Sequence, residues 1–133
     1  RFFLLYWIYE EELMNWIYFV EIELVPLLMA VFGWLMLHHC PKTINHLVGY
    51  RTRRSMVSND TWVFAHHYCG RLWYLIGLSM AGITFDIYLP FTAKAPEFYD
   101  HAYMIVLWIQ IAVMIIPVFF TEKALKEQFP ENH

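Results

Sequence analysis

Apolar residues in this chain do not alternate with polar ones; they come in three long runs, with charged and polar residues gathered between them. A bilayer's hydrocarbon core is about 30 Å thick and takes about 20 helical residues at about 1.5 Å each. Each run is long enough to span it. The first covers residues 16–37 and contains LVPLLMAVFGWLML, with Glu21 and Glu23 at its outer end. The second, residues 72–89, reads LWYLIGLSMAGITFDIYL, with Asp86 near its last turn. The third, residues 102–120, reads AYMIVLWIQIAVMIIPVFF and has no formal charge. Continuous runs argue against a β-barrel, whose strands alternate apolar and polar positions. The pattern predicts an all-α membrane protein, one domain over residues 1–133, with three transmembrane helices and a structured loop between the first two.

Smaller features refine this outline. Pro26 and Pro117 lie inside spans, where neighbouring helices re-satisfy the freed backbone groups. Each is expected to kink its helix, unless Pro117 simply marks a last turn. The opening stretch RFFLLYWIY is too short to span. Two readings stand for it: it lies in the interface, or it ends a helix that begins earlier. The first residue is Arg rather than Met, which leaves targeting open.

The connection over residues 38–71, HHCPKTINHLVGYRTRRSMVSNDTWVFAHHYCGR, is too long to be structureless in a compact protein. Pro41 ends the first helix, and Gly49 suits a turn that needs positive φ or a close backbone approach. Ser58, Asn59 and Asp60 are good N-cap residues, and nothing from Thr61 to Tyr68 breaks a helix. A helix is therefore predicted to start there and run into the second span. On it Trp62, His66, Cys69 and Trp73 share one face, the spacing of a packing stripe.

Composition strengthens the membrane reading. The chain is 59% hydrophobic, 20% aromatic and 16% charged, against about 25% charged in soluble proteins. Its net charge of -3 argues against nucleic acid, whose binding depends on Lys and Arg neutralising phosphates. Two cysteines make no disulfide framework. Cations set the orientation: Lys42, Arg51, Arg53, Arg54 and Arg71 in the loop, with Lys123 and Lys126 in the tail, oppose only Arg1 and Lys94. The positive-inside bias places loop and C-terminus in the cytoplasm and the N-terminus outside.

The loop also carries a resemblance. Asn45, Gly49-Tyr50-Arg51-Thr52, Ser55-Met56, Ser58, Thr61-Trp62 and Ala65, at these spacings and between apolar helices, are similar to the signature of the SdpI family of bacterial membrane proteins. The family takes its name from immunity to a secreted toxin peptide that permeabilises sibling cells. Outside the loop the similarity is one of hydropathy, and the chain is read as a short form without the further membrane domain of longer members. The resemblance implies a multi-pass, non-catalytic protein of the bacterial cytoplasmic membrane that gives immunity to, or senses, a membrane-active peptide. It also implies a signalling role in which a cytoplasmic repressor is held at the membrane. No cofactor is expected.

Residue chemistry leaves several roles open. The Arg51 guanidinium suits bidentate capture of a carboxylate or phosphate. Arg51 either clamps the loop onto the helix ends above Trp62, or the loop forms a docking face for a partner protein or lipid headgroup. Arg53 and Arg54 need no more than topology and anionic lipid to explain them. Spacing identifies no nucleophile with its base. His38, His39, Cys40, His66 and Cys69, with His46 and His67 nearby, are of zinc- and copper-ligating types, although not at zinc-finger spacing. Outside, Glu10, Glu11 and Glu12 precede the first span, and Glu97 and Asp100 flank the second connection. Glu21, Glu23 and Asp86 are predicted at similar depth, where carboxylates tend to face a bundle interior or polar cavity. They suit a cationic toxin peptide or contact with another membrane subunit. The competing class is an accessory subunit of a transporter or respiratory enzyme, since three helices bury little surface by themselves; a third is a metal-binding membrane protein built on the His/Cys cluster.

Overall fold

The computed structural model describes the backbone of residues 1–88 and 96–131, and their side chains except those of Glu11, Tyr88 and residues 96–100. Three helices follow in order: α1 (Phe2–His38), α2 (Asn59–Tyr88) and α3 (Pro96–Gln128). Leu89, the expected end of the second span, and Lys94 lie outside the described residues, as do the side chains of Glu97 and Asp100.

At 37 residues, α1 is longer than the first apolar run. Residues 2–9, expected to be interfacial or the end of an earlier helix, form the first turns of α1 itself. No Gly or Pro interrupts the chain between Phe2 and Val25, and Glu10 to Leu13 are good helix formers, so nothing stops the helix at the acidic triplet. At about 1.5 Å per residue α1 extends about 55 Å, well beyond a bilayer core.

The helices run up, down and up. Most of the packing lies between α1 and α2, along a seam of small residues. A Cβ on Gly77 would fall 2.6 Å from the Ala30 backbone nitrogen and 2.8 Å from the Pro26 carbonyl oxygen. On Gly70 it would meet Met36 Cβ at 2.7 Å, and on Gly33 it would strike the backbone of Tyr74. Without side chains at these three points the two backbones come into direct contact, which is how helices associate where lipid removes the usual hydrophobic drive.

α3 closes the bundle partly through polar contacts. Pro26 has no N–H to give the Ile22 carbonyl, and Gln110 of α3 supplies one instead, Nε2 donating to Ile22 O at 3.0 Å. Pro117 lies well inside α3, which runs on to Gln128, so it does not mark a last turn. Thr121 Oγ1 donates to the Pro117 carbonyl at 2.7 Å.

Large apolar side chains point outward: Trp108 is 64% and Phe119 71% exposed. Among the described residues α1 and α3 are long and apolar enough to cross a membrane. The second expected span, residues 72–89, does not reach that measure over its described residues, where Arg71 and Asp86 bracket the apolar part of α2.

Candidate functional site

The signature residues build one compact loop whose polar groups mostly serve its own backbone. Asn45 Oδ1 accepts from the N–H groups of Leu47 and Val48 at 3.0 and 2.8 Å, forming an Asx turn. Gly49 has φ 122°, and a Cβ there would strike His66 Nε2, so both conformation and space demand glycine. Ser55, fully buried, donates from Oγ to the Tyr50 carbonyl at 2.8 Å and accepts from the Thr52 N–H at 2.9 Å. Thr52 Oγ1 in turn accepts from the Ser55 N–H at 3.2 Å. Met56 is half-buried and closes this turn through its own N–H to the Thr52 carbonyl, 3.2 Å.

Ser58 caps α2 in a reciprocal box. Its Oγ accepts from the Thr61 N–H at 3.2 Å, while Thr61 Oγ1 accepts from the Ser58 N–H at 3.0 Å. Trp62, fully buried, donates from Nε1 to the Pro41 carbonyl at 2.9 Å and so ties the start of the loop to α2. Ala65 is fully buried beside Tyr50 and Cys69, where a larger side chain would hold the loop off the helix.

His66 holds the centre. Its Nε2 accepts from the Tyr50 N–H at 3.0 Å, and its Nδ1 lies 2.8 Å from the Trp62 carbonyl. Only the neutral ring protonated on Nδ1 satisfies both. Burial lowers the His66 pKa, with His67 adding to the effect and the bond to Trp62 opposing it. The face Trp62, His66, Cys69 and Trp73 is thus the packing stripe expected from spacing, and two of its members grip the loop rather than another helix.

Glu122 of α3 anchors the loop from the other side. Tyr50 Oη donates to Glu122 Oε1 at 2.8 Å, and Arg54 pairs with Glu122 Oε2 at 3.3 Å. Burial, and after it the Glu122 carboxylate, pushes the Tyr50 phenol well above its ordinary pKa. The expected assignment of the arginines is therefore corrected. Arg54 makes the clamp, whereas Arg51 is exposed and no hydrogen bond or ion pair holds it among the described residues. Tyr50 turns inward to Glu122, which directs the next side chain out. Sequence reasoning missed Glu122, a residue of the C-terminal tail in that reading; the only signal was its position just past an uncharged run.

The His/Cys residues do not converge. His38 Nδ1 lies 3.0 Å from the Trp34 carbonyl, Cys40 Sγ donates to the Pro41 carbonyl at 3.5 Å, and the two nitrogens of His66 are taken by the Tyr50 N–H of the loop and the Trp62 carbonyl of α2. His39 is exposed and tilts against Trp34, and Cys69 is buried. Among the described residues no group of three or more His, Cys, Asp or Glu is placed to hold a metal. Burial raises the Cys69 thiol to about 11, against the opposing bond to Thr121, so it is not an activated nucleophile.

On the outer side the three carboxylates differ in environment. Glu21 is exposed and accepts from Tyr103 Oη of α3, while Glu23 is buried and accepts from Thr84 Oγ1 of α2. Asp86 is exposed. Glu23 and Asp86 line one groove of about 550 Å³ between α1 and α2, with Phe19, Leu27, Gly82 and Phe85 among its walls. Glu21 is not part of it. Glu10 and Glu12 are exposed on the projecting part of α1.

Known proteins share more with this chain than the loop. No solved structure matches it. An uncharacterised protein, YfhL of Bacillus subtilis strain 168, is 34% identical over 99 residues, 74% of this chain and 80% of the relative. The model of the SdpI/YfhL protein family matches residues 42–121, from the loop through α2 and most of α3. Similarity thus extends beyond the loop signature into both helices that clamp it, and the chain belongs to the SdpI/YfhL family.

Proposed function

We propose that the protein is a non-catalytic, three-span protein of the bacterial cytoplasmic membrane that gives immunity to, or senses, a membrane-active toxin peptide. The orientation puts the N-terminus outside, the signature loop and C-terminus inside, and the α1/α2 groove toward the outer leaflet. That groove carries the reading. Two carboxylates, Glu23 and Asp86, stand between apolar walls, and a Cβ on Gly82 would meet nothing within 4 Å among the described residues, so the groove is open at that wall. Apolar walls with carboxylates at the membrane edge suit a cationic amphipathic peptide. On the inner side the exposed Lys42, Arg51 and Arg53 suit an acidic partner such as a repressor held at the membrane.

The test is survival of a toxin-sensitive bacterium that expresses the chain. Protection that is lost on Glu23→Gln with Asp86→Asn, at equal membrane levels, supports the reading. Absence of protection by a properly inserted protein overturns it.

One observation favours a second reading, an accessory subunit of a larger membrane complex. Phe2, Phe3 and Trp7 are 89%, 90% and 67% exposed on the projecting end of α1, an aromatic surface without cover among the described residues. Stable co-purification with a defined membrane protein in mild detergent, lost on truncation of residues 2–9, distinguishes it.

A further inference from the structure

A cleft of about 430 Å³ opens between the end of α1, the signature loop and the foot of α2. Phe32, Met36, Leu47, Val48 and Trp73 give it mainly apolar walls, His39 and His66 add polar edges, and no described residue of α3 lines it. We propose that this cleft binds an anionic phospholipid of the leaflet that the loop faces, one acyl chain in the cleft and the phosphate over the loop's cations.

Two observations select that occupant. The Asn45 turn holds Leu47 and Val48 outward at the lip, 89% and 69% exposed, where water is a poor solvent for them and acyl chains are a good one. From His38 to Asn59 the chain has Lys42, Arg51, Arg53 and Arg54 and no Asp or Glu. Glu122 takes Arg54, leaving three exposed cations on the loop that supplies Pro41, Leu47, Val48 and Gly49 to the cleft. An apolar slot, with cations on the loop that forms its lip, matches acyl chain and phosphate in turn. The inference rests on the membrane placement and not on the peptide reading, and its assay needs no toxin.

The experiment is lipid retention by the delipidated full chain in mild detergent, read by native mass spectrometry with phosphatidylglycerol and phosphatidylcholine of equal chain length. Phosphatidylglycerol should be retained about fivefold to tenfold better, the preference expected of a few surface cations. Lys42→Gln, Arg51→Gln and Arg53→Gln together should equalise the two lipids. Val48→Asp, at an exposed position that leaves helix content unchanged, should abolish retention of phosphatidylglycerol. Equal retention of both lipids by the native chain overturns the proposal, as does native-like retention by Val48→Asp. Displacement of the lipid by glycerol phosphate alone also overturns it, because the site would then be an anion site without a use for the cleft.

Discussion

His66 must stay neutral to accept from the Tyr50 N–H, and burial lowers its pKa accordingly. A group with a lowered folded pKa stabilises fully above its unfolded value near 6.5 and loses that contribution as pH falls through the folded value. Thermal unfolding in detergent should therefore show stability falling below about pH 6.5, by up to about 1.4 kcal/mol per pH unit for one proton. His66→Asn should be less stable at pH 7.5 yet flatter toward pH 5; parallel curves would mean that another group titrates. The arginines separate at the same scale. Arg54→Gln should cost under about 1 kcal/mol, since the pair with Glu122 is partly exposed, and Arg51→Gln should cost close to nothing. Glu122→Leu, which also strips Tyr50 of its acceptor, should cost about 1–3 kcal/mol in the same assay. Local chemistry made much of this site legible: Asn45, Gly49, Ser58 and Thr61 act within a few residues of themselves, so spacing reveals them. The partners of Tyr50 and Arg54 do not, because Glu122 reaches them only after α2 and α3 have folded back. Charge alone could not say which arginine would pair, since that depends on the direction each side chain takes after Tyr50 turns inward.

Apolar runs gave the helices away at the next scale, and the cap residues placed the start of α2 correctly. What they could not reveal was how the helices meet. Nothing in the apolar pattern marks Gly70 and Gly77, yet they are the points where α2 rests on the backbone of α1. Gly77→Val would drive a branched side chain into the Pro26 carbonyl and Ala30 nitrogen, neither of which can rotate away. A loss of about 1–3 kcal/mol or more is expected from such overpacking. Gly82→Ala is the matched control on the same helix: its Cβ meets nothing within 4 Å, and alanine is the better helix former by about 1 kcal/mol. Unfolding midpoints should drop for the first and hold or rise for the second; equal effects would remove the seam as a determinant. The bond from Gln110 to Ile22 was invisible for a related reason. Pro26 announces a freed carbonyl in the sequence, but the donor that answers it lies on α3, beyond the reach of any local pattern.

For the whole molecule the distribution of charge matters most. Apolar side chains face outward along all three helices, and cations gather at the end where the loop, the foot of α2 and the tail of α3 meet. The two cysteines report on that arrangement without any engineering. Cys40 is half-buried in the loop, whereas Cys69 is buried with its thiol raised to about 11, so the thiolate that reacts is scarce at Cys69 near neutral pH. A membrane-impermeant maleimide applied at pH 8.5 should leave intact cells unlabelled. In inside-out vesicles it should label Cys40, more slowly than a free thiol because burial raises that group too. Cys69 should react in neither preparation until the bundle is unfolded. Labelling of Cys40 in intact cells would place the loop outside and reverse the positive-inside assignment, and with it the groove of Glu23 and Asp86 would face the cytoplasm. A toxin arriving from outside would then have no route to those carboxylates except through the bilayer, and protection by this chain would require a different site.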